Sequence, residues 1–239
     1  MKPANFLKAC VLSAFLFAAG SLHAAKPNFV IIFTDDQGYG DLSCFGSKTI
    51  KTPNIDRIAK EGRKFTSFMV ASPVCTPSRA ALLTGCYPKR VGMHQHVLFP
   101  ASTKGLNAKE HTIADHLKGQ GYATACFGKW HLGSHRDYGP KKQGFDEFFG
   151  IRDGFIDNYN HYFLHGTGFH DLYEGTTPVK ADGQYFPEIM TKRCLQFIEE
   201  NKKRPFFLYV PFNIPHYPEQ APKQFAEGFK DMKDPARKS

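Results

Sequence analysis

Asn28-Phe-Val-Ile-Ile-Phe-Thr34, followed at once by Asp35-Asp36, is the stretch on which the fold turns. A short, nearly continuous apolar run reads as a buried parallel strand, because a strand covered on both faces needs no polar alternation. The two carboxylates behind it repel each other, and burying both is costly unless a cation lies between them. In open α/β sheets ligands collect at the carboxyl ends of strands. Two oxygen acids in that place suit a hard divalent cation, Ca²⁺ or Mg²⁺. Read alone, an Asp-Asp pair is more often a solvated turn.

Downstream of this strand the pattern alternates. Thr52-Pro53 opens a helix through Ile55, Ile58 and Ala59 that stops at Gly62, with Pro at the first helical position and Gly past the end. Lys64 to Val70 reads as a second strand. Thr112 to Gly121 reads as a short helix with a glycine stop, and Ala123 to Gly128 as a strand. Pro187 to Asn201 places Ile189, Met190, Cys194, Phe197 and Ile198 on one helical face. Phe206 to Val210 is again an apolar, strand-like run. Strands alternating with helices predict an α/β fold, a mostly parallel central sheet with helices on both faces. Gly133 to Tyr185, rich in Gly, Asp, Tyr and His and poor in periodicity, reads as long loops over the catalytic edge.

Composition narrows the class. Of 239 residues, 41% are hydrophobic and 22% charged, and 23 are Phe, which supplies burial and argues against disorder. The formal charge of +9 suits an anionic substrate, but taken alone it reads first as a solvated surface. The basic residues are scattered and form no helix-turn-helix or aromatic-interleaved pattern, so nucleic acid is not an expected partner. Residues 1–25 read as a signal peptide: Lys2 and Lys8, then an apolar run from Ala9 to Ala19, then small residues with cleavage after Ala24. The run is too short to span a bilayer comfortably, although an uncleaved anchor is the other reading. The expectation is export to the periplasm or beyond, no stable membrane insertion, and one catalytic domain over residues 26–239. Five cysteines remain after Cys10 and form no CxxC pair, so neither a disulfide framework nor a zinc knuckle is indicated.

Cys75-Thr-Pro-Ser-Arg79, continuing Ala-Ala-Leu-Leu-Thr-Gly85, holds the most reactive candidate. A cysteine just before a short helix and near Arg79 would be acidified by the helix N-terminus and by Arg79, which makes it a phosphatase-like nucleophile. A buried structural thiol is the competing reading.

The stretch resembles the sulfatase signature, C-x-P-S-R followed by L-x-T-G. The likeness extends to Pro27–Asp41, to Thr52-Pro-Asn-Ile-Asp56, to Gly121-Tyr-Ala-Thr-Ala-Cys-Phe-Gly-Lys-Trp-His-Leu-Gly133, and to Pro215-His216 after a strand. It implies the alkaline-phosphatase-like fold and the hydrolysis of sulfate esters, plausibly on sulfated carbohydrates. It also implies that Cys75 is oxidised to formylglycine by a formylglycine-generating or anaerobic sulfatase-maturing enzyme. Asp35, Asp36 and the modified Cys75 are then the metal ligands. Arg79 holds the nucleophile, Lys129 binds it and the sulfate, His131 assists release of sulfate, and His216 contacts the sulfate and protonates the leaving alcohol.

One departure stands out. The family completes its metal site with a downstream Asp-Asn pair, whereas the one Asp-Asn here, Asp157-Asn158, precedes His216. The expectation is therefore a truncated catalytic domain that binds Ca²⁺ weakly and turns over poorly by itself. A phosphoester or phosphonate hydrolase of the same superfamily, and an inactive fragment that binds sulfated glycans, are the alternatives.

Overall fold

The computed structural model describes residues 25–164 and 168–229, and the signal-peptide segment lies outside the described residues. Its centre is a six-stranded sheet. The strands are β1 (Phe29–Asp35), β2 (Ala123–Lys129), β3 (Glu147–Ile151), β4 (Tyr173–Glu174), β5 (Thr177–Pro178) and β6 (Phe206–Pro215). They lie in the order β1-β6-β2-β3-β4-β5. β1, β6, β2 and β3 run parallel, and β4 and β5 add an antiparallel edge.

Three of the helices divide between the two faces. α1 (Pro53–Glu61), α2 (Cys75–Thr84), α3 (Ile113–Gly119), α4 (Phe186–Asn201) and the short α5 (Lys223–Ala226) follow in chain order. On one face Phe186, Ile189, Met190, Cys194 and Phe197 of α4 pack on Ala125, Phe127, Phe149, Leu208 and Val210. On the other, Ala80 and Leu83 of α2 and Ala114 of α3 join Cys126, Phe148, Phe207 and Tyr209. The period-2 alternation of β2, β3 and β6 sends successive side chains into opposite cores. α3 is closed by a reciprocal capping box between Thr112 and Asp115.

Three expectations need correction. β1 is parallel to β6, but it is the edge strand, and Phe29, Val30 and Ile32 are exposed. Its apolar run is therefore half covered, not buried on both faces. Residues 64–70 form no strand. Phe65, Phe68, Met69 and Val70 face outward, since a strand forms only against a ladder partner and this segment has none among the described residues. Conversely, residues 133–185 are not all loop. Glu147–Ile151 is a buried parallel strand on β2.

No helix among the described residues is long and apolar enough to cross a membrane. Cys44, Cys75, Cys86, Cys126 and Cys194 are all free thiols.

Candidate active site

The carboxyl ends of β1, β2 and β6 bring the candidate residues together. β1 ends in Asp35, β2 in Lys129, and His216 follows β6. Val74 caps α2, so Cys75 is the first residue of that helix. The αL glycine Gly85, whose N–H donates to the Ala81 carbonyl, ends it.

Asp35 is the hub. Its carboxylate pairs with the Lys129 ammonium through Oδ2 and lies 3.5 Å from Arg79 Nη2 through Oδ1. The Cys75 Sγ stands 3.7 Å from the same Oδ1 and 3.4 Å from Lys129 Nζ. Arg79 and Lys129 are wholly buried. Arg79 also donates to the backbone carbonyls of Lys129 (3.2 Å) and Phe212 (3.3 Å), which fixes the guanidinium against two strand ends.

These contacts set protonation. Burial pushes Asp35 up, but the Lys129 and Arg79 cations outweigh it and hold the carboxyl below its usual range. Burial, then the Arg79 charge, lowers Lys129, with Asp35 and Cys75 opposing. The Cys75 thiol is pushed up by burial, with Lys129 acting against this and Asp35 reinforcing it. The expected acidification of Cys75 is thus overturned. The helix start and Arg79 do not compensate for removal from water.

His131 takes a left-handed backbone conformation at φ 54°. Its Nε2 lies 2.7 Å from the Leu98 carbonyl and so carries the proton, while the buried Nδ1 has no partner among the described residues. Burial, then the Lys129 charge, drives its pKa well below the ordinary value, so the ring is neutral and Nδ1 is a free acceptor. Gly154 makes room for it, since a Cβ there would lie 2.9 Å from Cε1 of the ring. Its tie to the nucleophile runs through Thr76, whose hydroxyl donates to the His131 carbonyl at 2.9 Å and accepts from the Leu98 N–H at 3.1 Å.

His216 stacks on Phe155 at 5.3 Å between ring centroids, and its Nε2 is 3.7 Å from the Asp36 carboxylate. Donor atoms of Asp35, Cys75 and His216 lie within 4.8 Å of one another, and Asp36 stands outside that group. Asp36 is more than half exposed and left-handed at φ 56°. It lies between two clefts, one of about 290 Å³ over Cys75, Ser78 and Arg79, the other of about 450 Å³ bordered by His216, Tyr185 and Gln220.

The donor set fits a hard cation in kind. Asp35, Asp36 and the Gln37 amide are oxygen donors around one cleft. They number fewer than the six to eight oxygens Ca²⁺ takes, so they form part of a shell. Asp157-Asn158 lies elsewhere: Gln220 Nε2 donates to Asp157, and Asn213 donates to Asn158 at 2.7 Å.

Sequence reading overlooked Thr76, the Leu98 carbonyl, Gln37, Gly154 and Phe155. Of these only Thr76 and Gln37 were legible, as neighbours of the quoted motifs.

A half-buried cysteine at a helix start, flanked by two buried cations at the carboxyl edge of a mostly parallel sheet, is set on an alkaline-phosphatase-like fold. The sulfatase family profile matches residues 27–239, and the chain belongs to the sulfatase family. Human (Homo sapiens) arylsulfatase A is 39% identical over 229 residues, covering 88% of this chain and 45% of that protein. The crystal structure of Ps i-CgsB superposes with a TM-score of 0.83 at 36% identity, covering 89% of this chain and 50% of that one. BT4656 in complex with its substrate D-glucosamine-2-N,6-O-disulfate gives a TM-score of 0.71 at 28% identity over 88% of this chain and 39% of that one. The chain therefore spans half or less of the length of these relatives.

Proposed function

We propose that this chain supplies the nucleophile-bearing part of an exported sulfuric ester hydrolase acting on sulfated carbohydrates. The observation that carries the reading is Cys75 set between buried Lys129 and Arg79, beside Asp35. The sulfatase family match over residues 27–239 and the sulfated-sugar substrate of BT4656 support it.

The thiol described here stands where a formylglycine hydrate would act after a maturing enzyme oxidises Cys75. When formed, that hydrate would supply one hydroxyl to displace the alcohol from sulfur and a second whose deprotonation would let sulfate leave. A plain serine or cysteine has no second hydroxyl and would stay sulfated. Lys129 and Arg79 offset the charge on the sulfate oxygens without reorganising. Neutral His131, with Nδ1 free, takes a proton, and His216 delivers one to the leaving alcohol. A divalent cation, Ca²⁺ or Mg²⁺, when held by Asp35, Asp36 and residue 75, supplies further positive charge for the sulfate oxygens.

The test has two parts. Mass spectrometry of the peptide containing residue 75, after expression with a maturing enzyme, should show a mass about 18 Da below that of the free thiol. The matured protein should release sulfate from a sulfated disaccharide and spare the matching phosphate ester, while the Cys75→Ala variant should be inactive. Equal turnover by Cys75→Ala would refute the reading, and preference for the phosphate ester would reassign the substrate.

A further inference from the structure

His161, His170 and Asp182 converge from three separate segments on one point outside the candidate active site. One donor atom from each lies within 4.8 Å of the others. His161 is wholly buried and left-handed at φ 63°. Its N–H donates to the Asp157 carbonyl and its own carbonyl accepts from the Asp171 N–H, each at 2.9 Å. His170 pairs with Tyr162 in an isolated bridge. Asp182 sits in a turn held by the Gly183 N–H on the Tyr159 carbonyl at 2.8 Å. The backbone thus fixes all three positions.

The ring nitrogens identify the ligand. His161 Nε2 lies 3.1 Å from the Gln184 carbonyl and must carry the proton, which leaves Nδ1 with a bare lone pair. That Nδ1 is buried and has no hydrogen-bond partner among the described residues. His170 Nε2 is likewise buried without a hydrogen bond among the described residues, 3.8 Å from Asp182 Oδ1. A buried polar atom left without a partner is costly. Burial, then for His161 the neighbouring His170 and for His170 the Lys180 ammonium, lowers both pKa values and keeps the rings neutral, as a metal requires. The Lys180 amine is itself engaged, donating to the Tyr162 hydroxyl at 3.2 Å. Bonds of ~2.0 Å to a tetrahedral ion set donor separations near ~3.3 Å. The exposed Asp182 carboxylate need close only a short gap. Two imidazoles and one carboxylate suit a borderline ion such as Zn²⁺, and do not suit Ca²⁺ or Mg²⁺.

We propose that His161 Nδ1, His170 Nε2 and Asp182 form a second metal site, selective for Zn²⁺ or a similar transition ion, which pins together the three segments that carry them. The probe is Co²⁺, titrated into chelator-treated protein in a Cys75→Ser background so that no thiolate at residue 75 contributes. Ligand-field absorption of a four- or five-coordinate ion should saturate at one equivalent and be displaced by Zn²⁺ and not by Ca²⁺. His170→Gln and Asp182→Asn, which leave the buried His161 in place, should each weaken Co²⁺ binding by more than the ~10–100-fold lost with an outer-shell partner. Each should keep the thermal midpoint of the metal-free protein within a few degrees. Saturable binding untouched by both substitutions, or no saturable binding, overturns the proposal.

Discussion

Asp35 is a buried carboxylate between two buried cations, and the arrangement is stable only as a set. Removing one member strands the others, which typically costs ~3–5 kcal/mol. Asp35→Asn, which leaves Lys129 and Arg79 as two buried like charges, should therefore lower the urea midpoint markedly as well as abolish turnover. In the double variant Asp35→Asn/Lys129→Met one of those charges is gone too. Its stability should exceed that of Asp35→Asn while activity stays absent, a split that a purely catalytic aspartate would not give. At this scale the sequence was most informative where motifs were dense. Cys75, Arg79, Lys129 and His131 stand within two short signatures, and the structure gathers them around one strand edge. The upward push of burial on the Cys75 thiol was not legible, because burial is a property of the packed site and no local residue signals it. The His131 ring partner, the Leu98 carbonyl, was equally hidden, since a backbone acceptor far along the chain has no sequence signature.

Close spacing of strands is the corresponding feature among the elements. A Cβ on Gly128 would lie 2.1 Å from the Pro211 carbonyl oxygen of β6, and that residue's φ is 139°. Gly128→Ala must push β2 from β6 and shift the adjacent Lys129. The expected result is a loss on the order of 2–4 kcal/mol in stability, read from chemical unfolding, together with reduced activity in whatever protein folds. α1, α3 and α4 were read to within a residue or two, because Pro at the start and Gly at the end are local signals, as at Pro53 and Gly62. β3 was missed for the opposite reason. Five residues, Glu-Phe-Phe-Gly-Ile, flanked by Gly and Asp, carry too few positions for a period to show. Residues 64–70 have the composition of a strand, and composition does not supply a neighbour to pair with.

For the whole molecule, two consequences can be measured. His131 is held neutral by burial, so its folded pKa lies well below the unfolded value of ~6.5. Its share of stability is complete above ~6.5 and declines as pH falls, because there the unfolded chain binds the extra proton. Asp171, pushed well up by burial and then by Asp153, has the opposite sign: its contribution is full only in acid and is lost as pH rises through its folded pKa. Unfolding free energy measured at pH 7.5 and 5.5 should fall toward the lower pH, and His131→Gln should flatten that slope. Exposed apolar side chains give the second consequence. Ile32 is 59%, Phe68 79% and Met69 84% exposed. A bare edge strand beside such residues favours self-association, and the double variant Ile32→Lys/Phe68→Lys should raise the monomer fraction in light scattering at equal concentration. The register of β1 against β6 breaks between Phe33 and Asp35, and β1 has no ladder on its other side among the described residues. Edge elements open before cores do. Should β1 peel away, the pair Lys129 and Arg79 would be left as two sequestered like charges with no counter-ion. The strand that delivers the acid thus doubles as a fuse, and mild heat or denaturant should silence the reaction while both hydrophobic layers are still intact.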